Sequence, residues 1–211
     1  MLRLDLHVHT SHSIDGSCSV EEMVAAAKAK GLDGVAITDH NSIAGHPEVE
    51  KFSKGGFLVI PGVEVTSADG HIVGLGVSGL IPRGLSARET VERIRKQGGI
   101  AIAAHPFALG RRPGLVRKAK FDAIEVLNSR AFLLSNPLAR RFAERNKIPM
   151  VAGSDAHHRD EIGLAYTTVD CEPKVESVLE HIKTGRSSAS GRAVPFPNLL
   201  WRFLLKLVSK R

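Results

Sequence analysis

The stretch LRLDLHVHT, residues 2–10, governs how the rest of the chain is read. It alternates, and side chains two apart on a strand point the same way. Leu4, Leu6 and Val8 are therefore expected on one face, with Asp5, His7 and His9 on the other. Paired imidazoles at the end of an apolar strand can aim ring nitrogens at one point, which is what a divalent metal requires. Such a pair gains meaning only if other strands end in the same way.

Apolar or β-branched runs recur at 34–38 (GVAIT), 57–65 (FLVIPGVEV), 72–77 (IVGLGV), 99–105 (GIAIAAH), 121–128 (FDAIEVLN) and 148–155 (IPMVAGSD). At or just past their ends stand Asp39 and His40, Glu64, His105, Asn128, and Asp155 with His157. Between the runs lie helices. Ser19 and Glu22 form a capping box opening SVEEMVAAAKAKG, which Gly31 closes, and Ser86 with Glu89 repeats the device in SARETVERIRKQGG. Residues 135–146 and 173–184 also read as helical. Strands alternating with helices at this spacing predict parallel βα units. In a closed barrel the C-terminal strand ends converge on one mouth, whereas an open sheet holds its outer strand ends too far apart to share a site. The placement of the polar residues therefore predicts a barrel, with fewer than eight βα units at this length.

A chain of 211 residues, 43% hydrophobic and 24% charged, suits one globular domain with a core of its own. Cys18 and Cys171 form no disulfide framework, so a reducing, cytoplasmic setting is expected. Arg3, Asp5 and His7 interrupt any N-terminal apolar stretch, so no signal peptide is expected. No apolar run is long enough for a transmembrane segment. The net charge of +7 is local: residues 183–211 carry seven Lys and Arg and no acid, which leaves 22 basic against 22 acidic residues elsewhere.

That basic end is read separately, dividing the chain into a barrel at 1–190 and a tail at 191–211. With Asn198 as cap, Arg202, Lys206 and Lys210 fall on one helical face, opposite Leu199, Leu200, Phe203, Leu204 and Leu207. A terminal helix packed on the barrel is expected. Contact with a polyanion, a membrane surface or a partner is the alternative.

Imidazoles with carboxylates and no thiolates suit zinc, manganese or iron, and several neighbouring ions rather than one. His12, His46, His158 and His181 lack the strand-end placement and are expected to be ordinary.

Through DLHVHTSHSIDGS, AITDHNS, GVEVTS with GHIVG, AHPF and GSDAHH, the chain resembles the PHP family, named for polymerase and histidinol phosphatase domains. The resemblance implies an α/β fold, a distorted (β/α)7 TIM-like barrel. It also implies three divalent ions, manganese, zinc or iron, held by nine residues. One ion would take His7, His9, Glu64 and Asp155; a second would share Glu64 and add His71 and His105; a third would take Asp15, His40 and His157. His71 follows Glu64 by only seven positions, which predicts a tight hairpin. The implied activity is that of a stand-alone metal-dependent phosphoesterase, of phosphatase, nucleotidase or nuclease type. Its substrate would be a small phosphorylated molecule or a nucleic-acid end.

Catalysis is expected to involve Asp39, His40 and Glu64, with Asp39 either fixing an imidazole tautomer or capping a turn. Arg111, Arg112, Asn128, Arg130 and Arg159 are the expected substrate contacts, because guanidinium groups match phosphate. Two other functions fit parts of the pattern: an amidohydrolase-type deaminase or amidase, and a metal-bound scaffold without turnover. Against the first, Glu64 supplies the shared carboxylate and the last motif is Asp-x-His. Against the second, no expected ligand is missing.

Overall fold

The computed structural model describes residues 1–53, 55–108, 114–131 and 134–194. Nine strands form one sheet: β1 Leu2–Val8, β2 Gly34–Ile37, β3 Leu58–Thr66, β4 His71–Leu75, β5 Ile100–Ala103, β6 Ala123–Asn128, β7 Met150–Gly153, β8 Ala165–Val169 and β9 Ser187–Gly191, in the order β7-β6-β5-β4-β3-β2-β1-β8-β9. Five helices accompany them: α1 Val20–Ala29, α2 His46–Phe52, α3 Ala87–Lys96, α4 Ser135–Asn146 and α5 Val175–Lys183. Both capping boxes form at the predicted places, and Gly31 takes a positive φ of 70° after α1.

The sheet curls until β7 meets β1. Ser154 N donates to Asp5 Oδ1 at 2.9 Å, His9 N to Ala156 O at 2.8 Å and Ala156 N to His7 O at 3.3 Å. Gly153 makes this approach possible. A Cβ there would lie 2.9 Å from His7 N and 3.1 Å from Glu125 Oε1. The result is a nearly closed, barrel-shaped sheet with the expected mouth.

Its strands are less uniform than a repeated βα unit predicts. β3 and β4 form the hairpin anticipated from the Glu64–His71 spacing, so β4 runs antiparallel to both β3 and β5. Ser67 Oγ turns the hairpin, accepting from Gly70 N at 3.1 Å and Asp69 N at 3.2 Å. The β8–β9 pair, in which β8 runs antiparallel to both β1 and β9, was not predicted. SSASG in β9 carries no large apolar side chain, and its backbone pairing alone makes it a strand. The helix α2 was also missed, since Gly45 at its start offers no side-chain cap.

A register shift in β1 between Asp5 and Val8 corrects the strict alternation. A bulge of this kind re-aims the residues after it. Leu4 and Leu6 pack with Leu58, Ile60, Ile102 and the α5 residues Val178, Leu179 and Ile182. Val8 instead joins Val20, Met23 and Val24 beneath α1. A third cluster, including Val63, Ile72, Ile94, Ile124 and Ala139, fills the space under α3 and α4. Each fully buried Ile or Leu stabilises the fold by roughly 1.5–3 kcal/mol of removed apolar surface. The last described residue, Val194, donates its N–H to Ser129 O at 2.7 Å, so contacts with the barrel extend past residue 190. The tail from residue 195 onward lies outside the described residues. Among the described residues no helix is long and apolar enough to cross a membrane.

Candidate metal centre

Six of the ten histidines are buried or half-buried around one carboxylate or its neighbours at the mouth, and Glu64 is the hub. Its Oε1 lies 2.7 Å from His71 Nδ1 and 2.9 Å from His105 Nε2. Its Oε2 lies 2.9 Å from His40 Nδ1 and 3.4 Å from Nε2 of both His7 and His9. Asp155 Oδ1 approaches the same two nitrogens at 3.7 and 3.2 Å. Asp15 faces His157 Nε2 at 3.2 Å and His40 Nε2 at 3.9 Å. The donor atoms of four overlapping triplets lie within 4.8 Å of one another: His7–His9–Glu64, His7–His105–Asp155, His40–Glu64–His71 and His9–His40–His157. All nine expected ligands therefore occupy one contiguous cluster.

Strand ends deliver these groups, and the backbone bends sharply to do so. His105 and Asp155 take positive φ values of 29° and 55°, and Asn41, beside His40, takes 49°. Non-glycine residues in the left-handed region store strain and tend to collect at functional sites.

Several rings are held by their Nδ1. His7 Nδ1 lies 2.9 Å from Glu125 Oε1, His157 Nδ1 lies 2.8 Å from its neighbour Asp155's carbonyl, and His9 Nδ1 lies 3.3 Å from Ser13 Oγ. Ser13 Oγ also accepts from His40 N at 2.7 Å. A hydrogen on each Nδ1 satisfies these contacts and leaves the Nε2 lone pairs pointing into the cluster. There, His7 Nε2, His9 Nε2, Glu64 Oε2 and Asp15 Oδ1 are buried without a hydrogen-bond partner. Lone pairs facing carboxylate oxygens repel, and a buried polar group left unsatisfied costs about 1–3 kcal/mol. Divalent cations remove both penalties, so the residues fit the metal centre that their chemistry implies.

Without metal, protons are the other means of relieving the same repulsion. Burial disfavours charge on Glu64, yet His7, His105 and His40 hold its carboxyl well below the usual range. Asp155 is likewise held low against its burial by His7 and His9. Burial also lowers His7, but Glu125, Asp155 and Glu64 outweigh it and raise the imidazole well above its ordinary value. His40 and His105 are raised in the same manner, chiefly by Glu64. His9 goes the other way: burial, with His157 and His7 alongside, pushes it down to about 4.

Some expected roles change. Asp39 fixes no imidazole through its carboxylate; Oδ1 accepts from Thr10 N at 2.6 Å and Oδ2 from Thr10 Oγ1 at 2.8 Å. It thereby pins the loop that runs from His9 to Asp15. Asn128 is fully buried rather than presented to a substrate. Its Nδ2 donates to Glu125 Oε2 at 3.0 Å and Asp155 Oδ2 at 3.3 Å, and its Oδ1 accepts from Arg130 N. Arg130 is committed to Glu161 through Nη1 contacts of 3.0 and 3.1 Å. Arg159 is exposed just beyond His157. Arg111 and Arg112 lie outside the described residues. His12, His46, His158 and His181 have partners away from the cluster: Glu48, the Gly62 carbonyl, Ser17 and the Ser177 carbonyl.

Sequence reasoning missed Glu125, Ser13 and Glu161. Glu125 holds His7 and accepts from His105 N at 2.8 Å, and Glu161 accepts from His157 N at 2.9 Å. An acid inside the apolar run FDAIEVLN was the available signal for Glu125.

Residues 5–133 match the family model described as PHP domain, and residues 134–187 match one described as PHP-associated. An uncharacterized protein of Methanocaldococcus jannaschii, MJ1587, is 42% identical over 144 residues, which is 61% of this chain and 82% of that one. The 3',5'-nucleoside bisphosphate phosphatase of Chromobacterium violaceum is 36% identical over 114 residues, 49% of this chain and 40% of the phosphatase. Among solved structures, a two-domain Bacteroides vulgatus protein containing a predicted PHP-like metal-dependent phosphoesterase superposes with a TM-score of 0.69 at 21% identity, over 90% of this chain and 65% of that one. Endonuclease Q bound to a duplex with an abasic lesion superposes with a TM-score of 0.71 at 20% identity, over 91% and 60% of the two chains. At such identities the structural likeness is one of fold. With its barrel, its ligand cluster and a family-model match over more than half of its length, the chain belongs to the PHP family.

Proposed function

We propose that this protein is a metal-dependent phosphoesterase whose nine mouth residues hold three divalent ions, manganese, zinc or iron. His7, His9, Glu64 and Asp155 would hold the first, Glu64, His71 and His105 the second, and Asp15, His40 and His157 the third. One observation carries this reading: Nε2 of His7 and of His9 each face Glu64 Oε2 at 3.4 Å, buried and without a hydrogen-bond partner. When bound, such ions supply an activated water and neutralise charge on a phosphoester.

The remaining work falls to the chain. Glu64 and Asp155 carry the negative charge that draws cations together. Glu125 fixes the His7 tautomer, and Ser13 positions His9 and His40. Asp39, by clamping Thr10, sets the loop that presents Asp15, so it is a positioning residue. Arg159, together with Arg111 and Arg112 of the sequence, would meet the anionic substrate, with Arg130 bracing Glu161 behind His157. Relatives named as phosphodiesterase, bisphosphate phosphatase and exoribonuclease share one chemistry, hydrolysis of a phosphoester bond.

The test is a release panel of phosphomonoesters, a phosphodiester, nucleotides and oligonucleotides beside a set of amides. Each is run on chelated protein and on protein reloaded with manganese or zinc. Metal-dependent phosphoester hydrolysis is expected. Amide hydrolysis alone supports the amidohydrolase alternative, and no turnover of either class supports the scaffold.

A further inference from the structure

Two surface depressions lie outside the metal centre. The first is a cavity of about 290 Å3 lined by Phe107, Gly114, Val116, Arg117 and Phe142. Phe107 lies two residues beyond His105, and its ring is 6.0 Å from that of Phe142 on α4, tilted by 52°. The lining is mostly apolar, and the size is at the low end for a small-molecule site, roughly 300–1,000 Å3.

The second is a groove of about 390 Å3 between α3 and residues 117–120. Arg88, Arg95, Arg117, Lys118 and Lys120 line it against a single acid, Glu92. Arg95 is spent on Asp122 at 2.9 Å. Among the described residues, no carboxylate pairs with Arg88, Arg117, Lys118 or Lys120, and all four are exposed. Arg117 lines both depressions, so the aromatic cavity and the basic groove are neighbours. The groove also starts at the mouth side. Ala87, next to Arg88, donates its N–H to Asp69 Oδ2 in the β3–β4 turn at 2.8 Å, and Gly84 N donates to Thr66 O.

We infer that this surface binds a single-stranded nucleic acid, with one base stacking on the Phe107–Phe142 pair and the phosphates following Arg117, Lys118, Lys120 and Arg88. A base must leave its own stack to stack there, which favours a single strand over a duplex. Aromatic faces beside a cationic track are the two elements that sequence-tolerant strand binding needs. The inference names a substrate class for the proposed phosphoesterase and in that sense rests on it. Binding, however, can be measured without turnover.

The probe is a fluorescent single-stranded oligonucleotide with phosphorothioate linkages, and its anisotropy is read on metal-loaded protein across a salt series. Lys118→Glu combined with Lys120→Glu should raise Kd at least about tenfold at low salt and flatten the salt slope by about 1.4 for two lost phosphate contacts. Phe142→Leu keeps apolar bulk without a π face, and should weaken the normal oligonucleotide while leaving an abasic one unaffected. Melting temperatures verify that the variants are folded. The inference is overturned if the charge reversal leaves Kd and slope unchanged, or if normal and abasic strands bind alike. It is also overturned if polyglutamate or anionic vesicles compete as well as the oligonucleotide does. Failure of the phosphoesterase reading would appear separately, as absent hydrolysis with binding intact.

Discussion

The two ends of the barrel treat their polar groups in opposite ways. At the base, Asp122 is fully engaged: Oδ2 accepts from Ala101 N at 2.8 Å, and Oδ1 takes Arg95 Nη2 at 2.9 Å. Gln97 similarly accepts from Ser78 N and Gly79 N and returns a hydrogen bond to Gly79 O. Donor meets acceptor and nothing is left over. At the mouth, acceptor meets acceptor, and four polar atoms in the His7–His9–Asp15–Glu64 group have no partner. Polar groups that satisfy one another hold a fold. Those that converge unsatisfied are arranged for something else, and here the chemistry of the set fits cations.

The contrast is broken most severely by Glu64→Gln, which removes the charge facing five imidazoles. Phosphoester turnover should fall by at least about a thousandfold, with bound metal reduced, as metal analysis of the purified variant would show. His71→Ala should cost less of both. Equal metal content in wild type and Glu64→Gln would contradict the hub role.

Glu125→Gln acts one step back, through the His7 tautomer. A loss of roughly ten- to hundredfold in metal affinity is expected, the usual range for partners that orient a ligand. Titration of chelated protein measures it, and an unchanged affinity would return Glu125 to a purely structural role.

The pH dependence of stability should change with metal. In the metal-free site His7, His40 and His105 are raised above 6.5, so folding takes up protons there. The stability this contributes is full below about pH 6.5 and is lost as pH rises through the folded-state values. Chelated protein should therefore melt lower at about pH 9 than at about pH 6.5. Metal-loaded protein, whose ligands must be deprotonated, should not show that loss.

The smallest effect on function belongs to the base. Asp122→Asn should lower stability by about 1 kcal/mol, visible as a drop in melting temperature, and leave metal affinity unchanged. A change in affinity would mean that the two ends are coupled.

Most of the ligands were legible because they sit at the end of an apolar run, where chemistry and periodicity coincide, as with His105 after GIAIAA and Asp155 after MVAGS, whereas His71 starts its run and Asp15, in a loop, came only with the family resemblance. The hairpin was legible from spacing. Less of the supporting structure could be read. Asn128 and Arg130 carry the residue types of substrate contacts, but their partners Asp155 and Glu161 lie 27 and 31 residues away, and only the folded chain brings them together. Asp39 adjoins His40 in sequence yet reaches Thr10, 29 residues off. The bulge in β1 is invisible to a period of two, and β9 is a strand by pairing alone.

Calorimetric titration of the chelated protein with manganese or zinc tests the central claim most directly. About three equivalents are predicted for wild type, with a smaller number for Glu64→Gln and proton release on binding. A wild-type protein that takes up no metal, or whose stoichiometry is unaltered by Glu64→Gln, would contradict the account of the mouth as a cation site.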